Sequence, residues 1–171
     1  MNIEWNKISL FEGFTPAWLE QVKAIFEPLH LPAGQDLIRE GDPGDELYIL
    51  VEGKVRITKS MLIQGMRLPI MESDDPRKVL ATLDGRQYPV FGEIALIDED
   101  IRSATISVIE DADFIYTNRE RFFDLLNREP QLGCQLFAIL GKRLAATVRR
   151  NNSELIKLST ALALALSRFR S

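Results

Sequence analysis

The sequence contains one cysteine, Cys134, and one histidine, His30. A single cysteine excludes an internal disulfide framework, and the two residues are too few for the usual zinc, iron–sulfur or haem sites. Each is readable as a packing or surface residue, so no Ser–His or Cys–His catalytic pair is indicated. We therefore expect a protein that is not an enzyme and that carries no metal or cofactor.

The chain also lacks a run of about 18 apolar residues and a charged-then-apolar segment at its start. We therefore expect no membrane span and a cytoplasmic location. Its 171 residues are enough for one domain with a core plus an appendage. Apolar residues make up 46% and charged residues 27%, which is ordinary for a soluble globular protein.

Basic residues are concentrated near the end of the chain. Residues 133–171 hold seven of the 21 Lys and Arg residues and one acid, Glu154. Such a tail can bind nucleic acid, or it can dock against the more acidic remainder or simply be solvated. We favour docking or solvation, because no basic patch with interleaved aromatics and no helix-turn-helix pattern follows.

Turn residues divide the middle of the chain into short segments typical of strands. The clearest is 54–58, KVRIT, which alternates polar and apolar residues as a half-buried strand does. Many short strands with regular turns favour a mainly β barrel or jelly roll. The predicted strands are Asp36–Arg39, Glu46–Glu52, Lys54–Lys59, Lys78–Leu83, Ser103–Ile109 and Ala112–Thr117.

Helical patterns lie on both sides of this β region. Thr15 and Pro16 are typical of a helix N-cap and first helical position. A second helix is predicted over Arg119–Asn127, and a long one begins at Gln131 and runs nearly to the end. The predicted organisation is an N-terminal helical segment (1–30), a β region (31–117) and C-terminal helices (118–171).

An apolar stripe follows the predicted long helix. A helix with so much apolar surface must pack on its own domain or pair with the same helix of a second chain, and we favour the dimer. Asn151 interrupts the stripe, where it would either fix the register of such a pairing or lie at a solvated rim. The stripe consists of Leu136, Leu140, Leu144, Val148, Leu155, Leu158 and Leu162.

Residues 91–105, FGEIALIDEDIRSAT, place an acid and a base around a short apolar turn. If Gly92–Ile97 forms a short helix, its first amides and its dipole make an anion site. Arg102 could grip a phosphate there, and Glu93 would accept hydrogen bonds from the hydroxyls of a ribose. The pattern therefore predicts a binding site for a sugar phosphate at the start of this helix. The alternative, which composition alone favours, is a buried Glu93–Arg102 ion pair.

The same segment resembles the phosphate-binding cassette of the cyclic-nucleotide-binding domain family, roughly F-G-E-[LI]-A-L, then four to six residues, then R-[SAT]-A-T. Residues 33–55, AGQDLIREGDPGDELYILVEGKV, resemble the earlier glycine-marked strands of that family. The resemblance covers about residues 10–155. It implies an α+β, mainly β fold: an eight-stranded double-stranded β-helix, or jelly-roll barrel, flanked by N-terminal helices and a long C-terminal helix. The implied ligand is a 3′,5′-cyclic nucleotide.

The resemblance also implies roles for individual residues. Glu93 matches the acid that binds the ribose 2′-hydroxyl, and Arg102 matches the base that grips the exocyclic oxygens of the cyclic phosphate. Ser103 adds a hydroxyl beside the phosphate. Because a serine here can reach the 2-amino group of guanine, cGMP stays an alternative ligand to cAMP. The remaining implied contacts are cassette positions Gly92, Ile94, Ala95 and Ala104, and a wall for the base at Ile57, Leu80 and Leu83.

The helix after the barrel resembles that of the catabolite-activator branch of the family. Thr147 then matches a helix threonine that contacts the adenine amino group, although it is equally readable as a surface residue. Two features depart from that branch. Residues 159–171 show no hinge or recognition helix, so no DNA-binding domain is expected. The connection from Ser60 to Arg77 is long and contains an apolar segment, residues 61–71, with three methionines. This segment is either an extended hairpin that folds back on the barrel or an adaptable partner surface.

The leading hypothesis is a cyclic-nucleotide sensor, with cAMP favoured over cGMP. It would signal through its C-terminal helix to a downstream protein and form a homodimer through that helix. One alternative is a ligand-free structural or dimerisation module that retains the barrel. Another is the N-terminal sensor fragment of a transcription regulator.

Overall fold

The computed structural model describes residues 3–61 and 77–168. The chain divides into two compact units, Met1–Gly133 and Cys134–Ser171. Short 3-10 turns occur at Trp5–Lys7, Ser9–Phe11 and Gly85–Gln87. The other elements, in chain order, are α1 (Pro16–Lys23), β1 (Glu27–Leu31), β2 (Asp36–Ile38), β3 (Leu47–Ser60), β4 (Arg77–Asp84), β5 (Val90–Phe91), α2 (Glu93–Asp98), β6 (Thr105–Thr117), α3 (Arg119–Arg128) and α4 (Pro130–Arg168).

An antiparallel ladder between β3 and β6 is the centre of the sheet. It runs from the pair Leu47 and Thr117 at one end to Thr58 and Thr105 at the other. β1 and β2 pair with β6, while β4 and β5 pair with β3. The expected mainly β fold with flanking helices is therefore confirmed in the described residues.

The described residues form six strands in one sheet, not the eight strands of the implied barrel. The difference arises because β3 and β6 are each continuous where two separate strands were predicted. Gly53 lies between the two predicted halves of β3 and has φ of +88°. A Cβ at Gly53 would lie 2.3 Å from the carbonyl oxygen of Asp111 on β6. The residue thus allows the two strands to approach closely, so it continues the ladder rather than ending a strand.

The start of the first unit agrees with its sequence pattern. The Thr15 hydroxyl accepts a hydrogen bond from the Trp18 amide at 3.2 Å, and Pro16 is the first residue of α1. The predicted cap is therefore confirmed. β1 begins at Glu27, inside the segment predicted to be helical, and pairs with β6 at the edge of the sheet. An edge position tolerates Pro28, which has no amide hydrogen to donate.

A cluster of buried side chains packs on the inner face of the sheet. It includes Phe91, the first residue of the segment 91–105, and Ile106, the residue directly after it, which are 4% and 5% exposed. Both ends of this segment are therefore anchored in the core, and the residues between them comprise α2 and the loop that follows it. The cluster consists of Ile38, Leu50, Val55, Phe91, Ile106, Val108, Ala112 and Phe114.

The second unit is the greater part of α4, the predicted long helix. Apolar side chains on this helix are exposed from Val148 onward, including Leu155, Leu158 and Leu162 at 61%, 58% and 61%. Within the described part of the chain, no helix combines the length and the hydropathy needed to cross a membrane. The greater part of the predicted Ser60–Arg77 connection, with its apolar segment, lies outside the described residues.

Candidate functional site

The cassette, residues 91–105, begins with the short helix that its sequence predicts. α2 spans Glu93–Asp98, and Gly92 is its N-cap with φ of +83°. A Cβ at Gly92 would lie 2.4 Å from the Glu46 carbonyl oxygen and 2.7 Å from Nη1 of Arg102. Both the backbone conformation and the lack of space therefore require glycine here. Glu93 follows as the first helical residue and is partly buried.

The backbone of Arg102 is fixed to the acidic loop, residues 41–46. The amide of Gly41 donates to the Arg102 carbonyl at 2.9 Å, and the Arg102 amide donates to the Asp42 carbonyl at 2.9 Å. The two sequence segments that resemble the family thus meet in the fold. Because the hydrogen bonds are reciprocal, the position of Arg102 depends on the acidic loop as much as on the cassette.

The Arg102 side chain is buried, with 5% of it exposed, and its charged partner is Glu46. Nη1 donates to the Glu46 carbonyl oxygen at 2.9 Å, and Nη2 donates to the Glu46 carboxylate at 2.5 Å. A guanidinium out of water needs such compensation. These two bonds use two of its five N–H donors, so it retains capacity for a further acceptor.

Small and aromatic neighbours complete the surroundings of the guanidinium. A Cβ at Gly44 would lie 2.5 Å from Nε of Arg102, so the side chain packs directly on this glycine. The Tyr48 ring centroid lies 5.9 Å from the guanidinium carbon. Burial raises the pKa of Tyr48 to about 12, so the ring stays neutral and adds no negative charge beside Arg102. Glu46 is therefore the acid that balances this arginine.

Six of the predicted site residues line one small cavity of about 60 Å³. A wider cleft of about 510 Å³ shares Ile94, Arg102 and Ser103 with it. Volumes of roughly 300–1,000 Å³ are typical of small-molecule sites. The six residues are Gly92, Ile94, Ala95, Arg102, Ser103 and Ala104.

Charged side chains brace the wide cleft. Nζ of Lys59 donates to the Ser103 carbonyl at 2.7 Å. The buried Thr105 hydroxyl accepts from the Glu40 amide at 3.0 Å and from Nη1 of Arg77 at 2.6 Å. The second end of the cassette is thereby tied to β3, to β4 and to the residues that follow β2.

The residues predicted to wall the base are distributed differently. Ile57 and Leu83 are partly buried and pack against the core cluster. Leu80 is 51% exposed, as is the adjacent Val79 at 53%, and it is the extra residue where the pairing shifts between Ile57–Ala81 and Thr58–Val79. Thr147 lies on α4, in the second unit.

Sequence reasoning missed Glu46, Gly44 and the brace formed by Lys59 and Arg77. A buried arginine calls for an acid, but the acidic loop offers Asp42, Asp45 and Glu46, and no pattern distinguishes them. The alternative raised from sequence paired Arg102 with Glu93, whereas the carboxylate that bonds it is that of Glu46. In residues 3–61 and 77–168, no three His, Cys, Asp or Glu side chains are grouped as a metal site requires.

The family model for the cyclic nucleotide-binding domain matches residues 28–129, which is more than half of the chain. The chain belongs to this family. The segment that the model matches contains the acidic loop, the cassette and the whole of α3, so the buried arginine and its surroundings lie within the cyclic nucleotide-binding domain.

Similar proteins include bacterial regulators. A CRP-like cAMP-activated global transcriptional regulator of Mycobacterium tuberculosis is 29% identical over 152 residues, which are 89% of this chain and 60% of that protein. The cyclic AMP receptor protein of Thermus thermophilus is 30% identical over 135 residues, 79% of this chain and 56% of that one. The crystal structure of the Thermus thermophilus catabolite activator protein matches with a TM-score of 0.70 at 30% identity, covering 88% and 63% of the two chains. The chain thus spans less than two thirds of each relative.

The Arg102–Glu46 pair generates a test in the ligand-free protein. Glu46→Gln should lower the free energy of unfolding by about 1–2 kcal/mol, because it leaves a buried cation without its counter-charge. In an Arg102→Met background the same change should cost close to nothing, since no cation remains to compensate. Urea denaturation of the four proteins in this double-mutant cycle measures both values.

The exposed ion pair between Lys54 and Glu110 provides the matched control. Glu110→Gln should change the free energy of unfolding by less than about 0.5 kcal/mol. Equal losses for Glu46→Gln with and without Arg102 would show that the pair does not compensate a buried charge.

Proposed function

We propose that this chain is a non-catalytic cyclic-nucleotide sensor that prefers cAMP. The observation that carries the proposal is the buried Arg102 guanidinium beside the small cavity at the start of α2. A site for a neutral ligand has no use for a buried cation, whereas a site for a phosphate does. Membership of the cyclic nucleotide-binding domain family supports a cyclic phosphate in particular.

Backbone amides supply the second half of the phosphate contact. The first helical hydrogen bond of α2 joins the Leu96 amide to the Gly92 carbonyl at 3.0 Å. The amides before Leu96 therefore have no acceptor within the helix. In our proposal the exocyclic oxygens of the phosphate accept from these amides and from Arg102, with the Ser103 hydroxyl beside them.

Glu93 recognises the sugar in this proposal. Its carboxylate only accepts hydrogen bonds when ionised, so it would repel a phosphate and favour a hydroxyl. Its place as the first residue of α2, next to Gly92, supports a contact with the 2′-hydroxyl of the ribose.

The base occupies the wider part of the site. Ile57 and Leu83 offer apolar surface from the core cluster, and Leu80 joins them from an exposed position. The names of the two bacterial relatives, a cAMP-activated regulator and a cyclic AMP receptor, favour cAMP. Ser103 leaves a weaker capacity for cGMP.

In this proposal the chain forms a homodimer through α4. Ligand binding changes the arrangement of the α4 helices, and this change is passed to a downstream protein. Exposed apolar residues recur every seven positions at Val148, Leu155 and Leu162, and a second series comprises Leu144, Asn151 and Leu158. These are the two series of a coiled-coil seam, with Asn151 as the polar residue that sets the register. We retain the eight-stranded barrel as a proposal for the complete domain, with β3 and β6 each counted as two strands.

A ligand-free dimerisation module is a second candidate, because Glu46 already balances the charge of Arg102. Calorimetric titration with cAMP and with cGMP separates the two functions. Binding of either nucleotide supports the sensor, and the absence of heat with both, over a range of temperatures, supports the module. A third proposal is that this chain is the N-terminal sensor part of a transcription regulator, with the architecture of its longer relatives.

Arg102→Ala should weaken cAMP binding by at least about tenfold, because it removes a charge-assisted contact to a desolvated phosphate. Arg102→Lys should recover only part of the affinity, since an ammonium cannot reproduce the planar fork. Calorimetry measures both, with Arg56→Ala, at an exposed position of β3, as the control. Unchanged affinity in Arg102→Ala would remove this residue from the site.

The proposed contact between Glu93 and the ribose can be tested by comparing the affinities for cAMP and 2′-deoxy-cAMP in calorimetric titrations. Wild-type protein should bind 2′-deoxy-cAMP about tenfold more weakly than cAMP, because Glu93 loses its donor. Glu93→Ala should bind the two ligands equally, and Glu93→Gln should fall between. If the wild type does not distinguish the ligands, Glu93 has no ribose role.

The dimer predicts a position-specific loss of assembly. Leu144→Asp combined with Leu158→Asp should give monomers in analytical ultracentrifugation, because it places charges in an apolar seam. Ala146→Asp combined with Thr160→Asp adds the same two charges fourteen residues apart on the opposite, exposed face, so that variant should remain dimeric. Identical behaviour of the two variants would contradict this seam.

A further inference from the structure

Arg119, the first residue of α3, binds the end of α2. Its Nη1 donates to the carbonyl oxygens of Leu96 and Ile97, the latter at 3.1 Å. Its Nη2 pairs with the Glu99 carboxylate at 2.7 Å. The guanidinium carbon also lies 4.4 Å from the ring centroid of Phe123, one turn further along α3. One side chain of α3 therefore makes three polar contacts with the cassette.

The contacts with Arg119 provide hydrogen-bond donors for the backbone carbonyl groups at the C-terminal end of α2. The last carbonyls of a helix have no partner within it. α2 ends at Asp98, and Glu99 follows with φ of +61°, its amide donating to the Ala95 carbonyl at 3.1 Å. Arg119 satisfies the next two carbonyls and places a positive charge at the C-terminal end of the helix dipole, where a cation is favoured.

The length of α2 makes this anchor relevant to the other end of the helix. Six residues rise only about 9 Å, so a rotation or shift at Leu96 and Ile97 must also displace the amides near Gly92. The core holds Phe91 before the helix, and Arg119 holds the end of it. The geometry that faces the proposed phosphate is thus set in part by a residue that does not touch the ligand.

We propose that Arg119 is a positioning residue that couples occupancy of the cassette to α3. This inference rests on the proposed function. Ligand at the start of α2 favours one position of that helix, and Arg119 transfers this preference to the first turn of α3. Coupling between two sites is reciprocal. If the ligand shifts the equilibrium position of α3 by some factor, a shift of α3 to that position therefore changes the affinity of the cassette for the ligand by the same factor.

Arg121 is a matched control on the same helix. Its Nη1 pairs with the Glu27 carboxylate on β1 at 2.5 Å. That pair holds α3 against the sheet, not against the cassette. Replacing Arg121 therefore removes one arginine and one ion pair from the first turn of α3 while it leaves the anchor of α2 in place.

The first experiment uses the ligand-free full chain. Hydrogen exchange of the α2 amides should be about fivefold faster in Arg119→Met than in wild type, because the end of the helix frays. Arg121→Met should leave these amides unchanged. Equal rates in wild type and Arg119→Met overturn the anchor, whatever the protein binds.

The second experiment adds cAMP. Arg119→Met should weaken binding by about fivefold or more, Arg119→Lys should recover part of the loss, and Arg121→Met should bind like wild type. At equal saturation, cAMP should slow exchange in residues 120–123 of wild type but not of Arg119→Met. A residue that only stabilised the fold would leave this link intact, so unchanged affinity and an unchanged response in Arg119→Met overturn the coupling.

A third variant guards against loss of folding in Arg119→Met. Glu99→Gln removes the carboxylate partner and leaves α3 unaltered, so it should show an intermediate affinity and an intermediate exchange response. If faster α2 exchange is found but no cyclic nucleotide binds to wild type, the proposed function and the coupling fail while the anchor stands. If wild type binds and neither Arg119→Met nor Glu99→Gln differs from it, the coupling alone fails.

Discussion

The burial of one positive charge is the constraint around which the described part of the first unit is organised. Arg102 is almost completely removed from water, and a guanidinium in that position requires oxygen acceptors and an opposing charge. Glu46 supplies both, with its carbonyl and its carboxylate. Gly44 and Gly92 leave the space that the guanidinium occupies. The acidic loop and the cassette are consequently one structural feature, although they are far apart in the sequence.

Local features of this arrangement could be predicted from the sequence. A glycine before one acid and four apolar residues indicates the cap and start of α2, and the proline after Thr15 indicates the start of α1, because both signals act within one turn of chain. Arg102 could be placed near α2 for the same reason, since only a few residues separate them. Six of the predicted contact residues accordingly line one cavity.

Features that depend on partners distant in sequence could not be predicted. Gly53 has the composition signal of a turn, and only the approach of Asp111 from β6 shows that the strand continues. The shift in pairing between β3 and β4 at Leu80 depends on both strands, and no periodicity reveals it. Glu46 was one of three acids in its loop. Arg119 has the sequence context of an ordinary helix start, because its acceptors are backbone carbonyls that every residue carries.

The long ladder between β3 and β6 has a consequence for how the molecule acquires its site. The bond between Arg102 and Glu46 joins residues 56 positions apart, and it can form only after the intervening chain has closed into a loop. Contacts of such large sequence separation carry an entropic cost that delays them during folding. A chain still emerging from the ribosome therefore contains Glu46 well before Arg102 has been added, and the site forms only when both are present. Any ligand that recognises the paired arginine distinguishes the finished fold from every partly folded form, and its binding free energy is added to the native state alone.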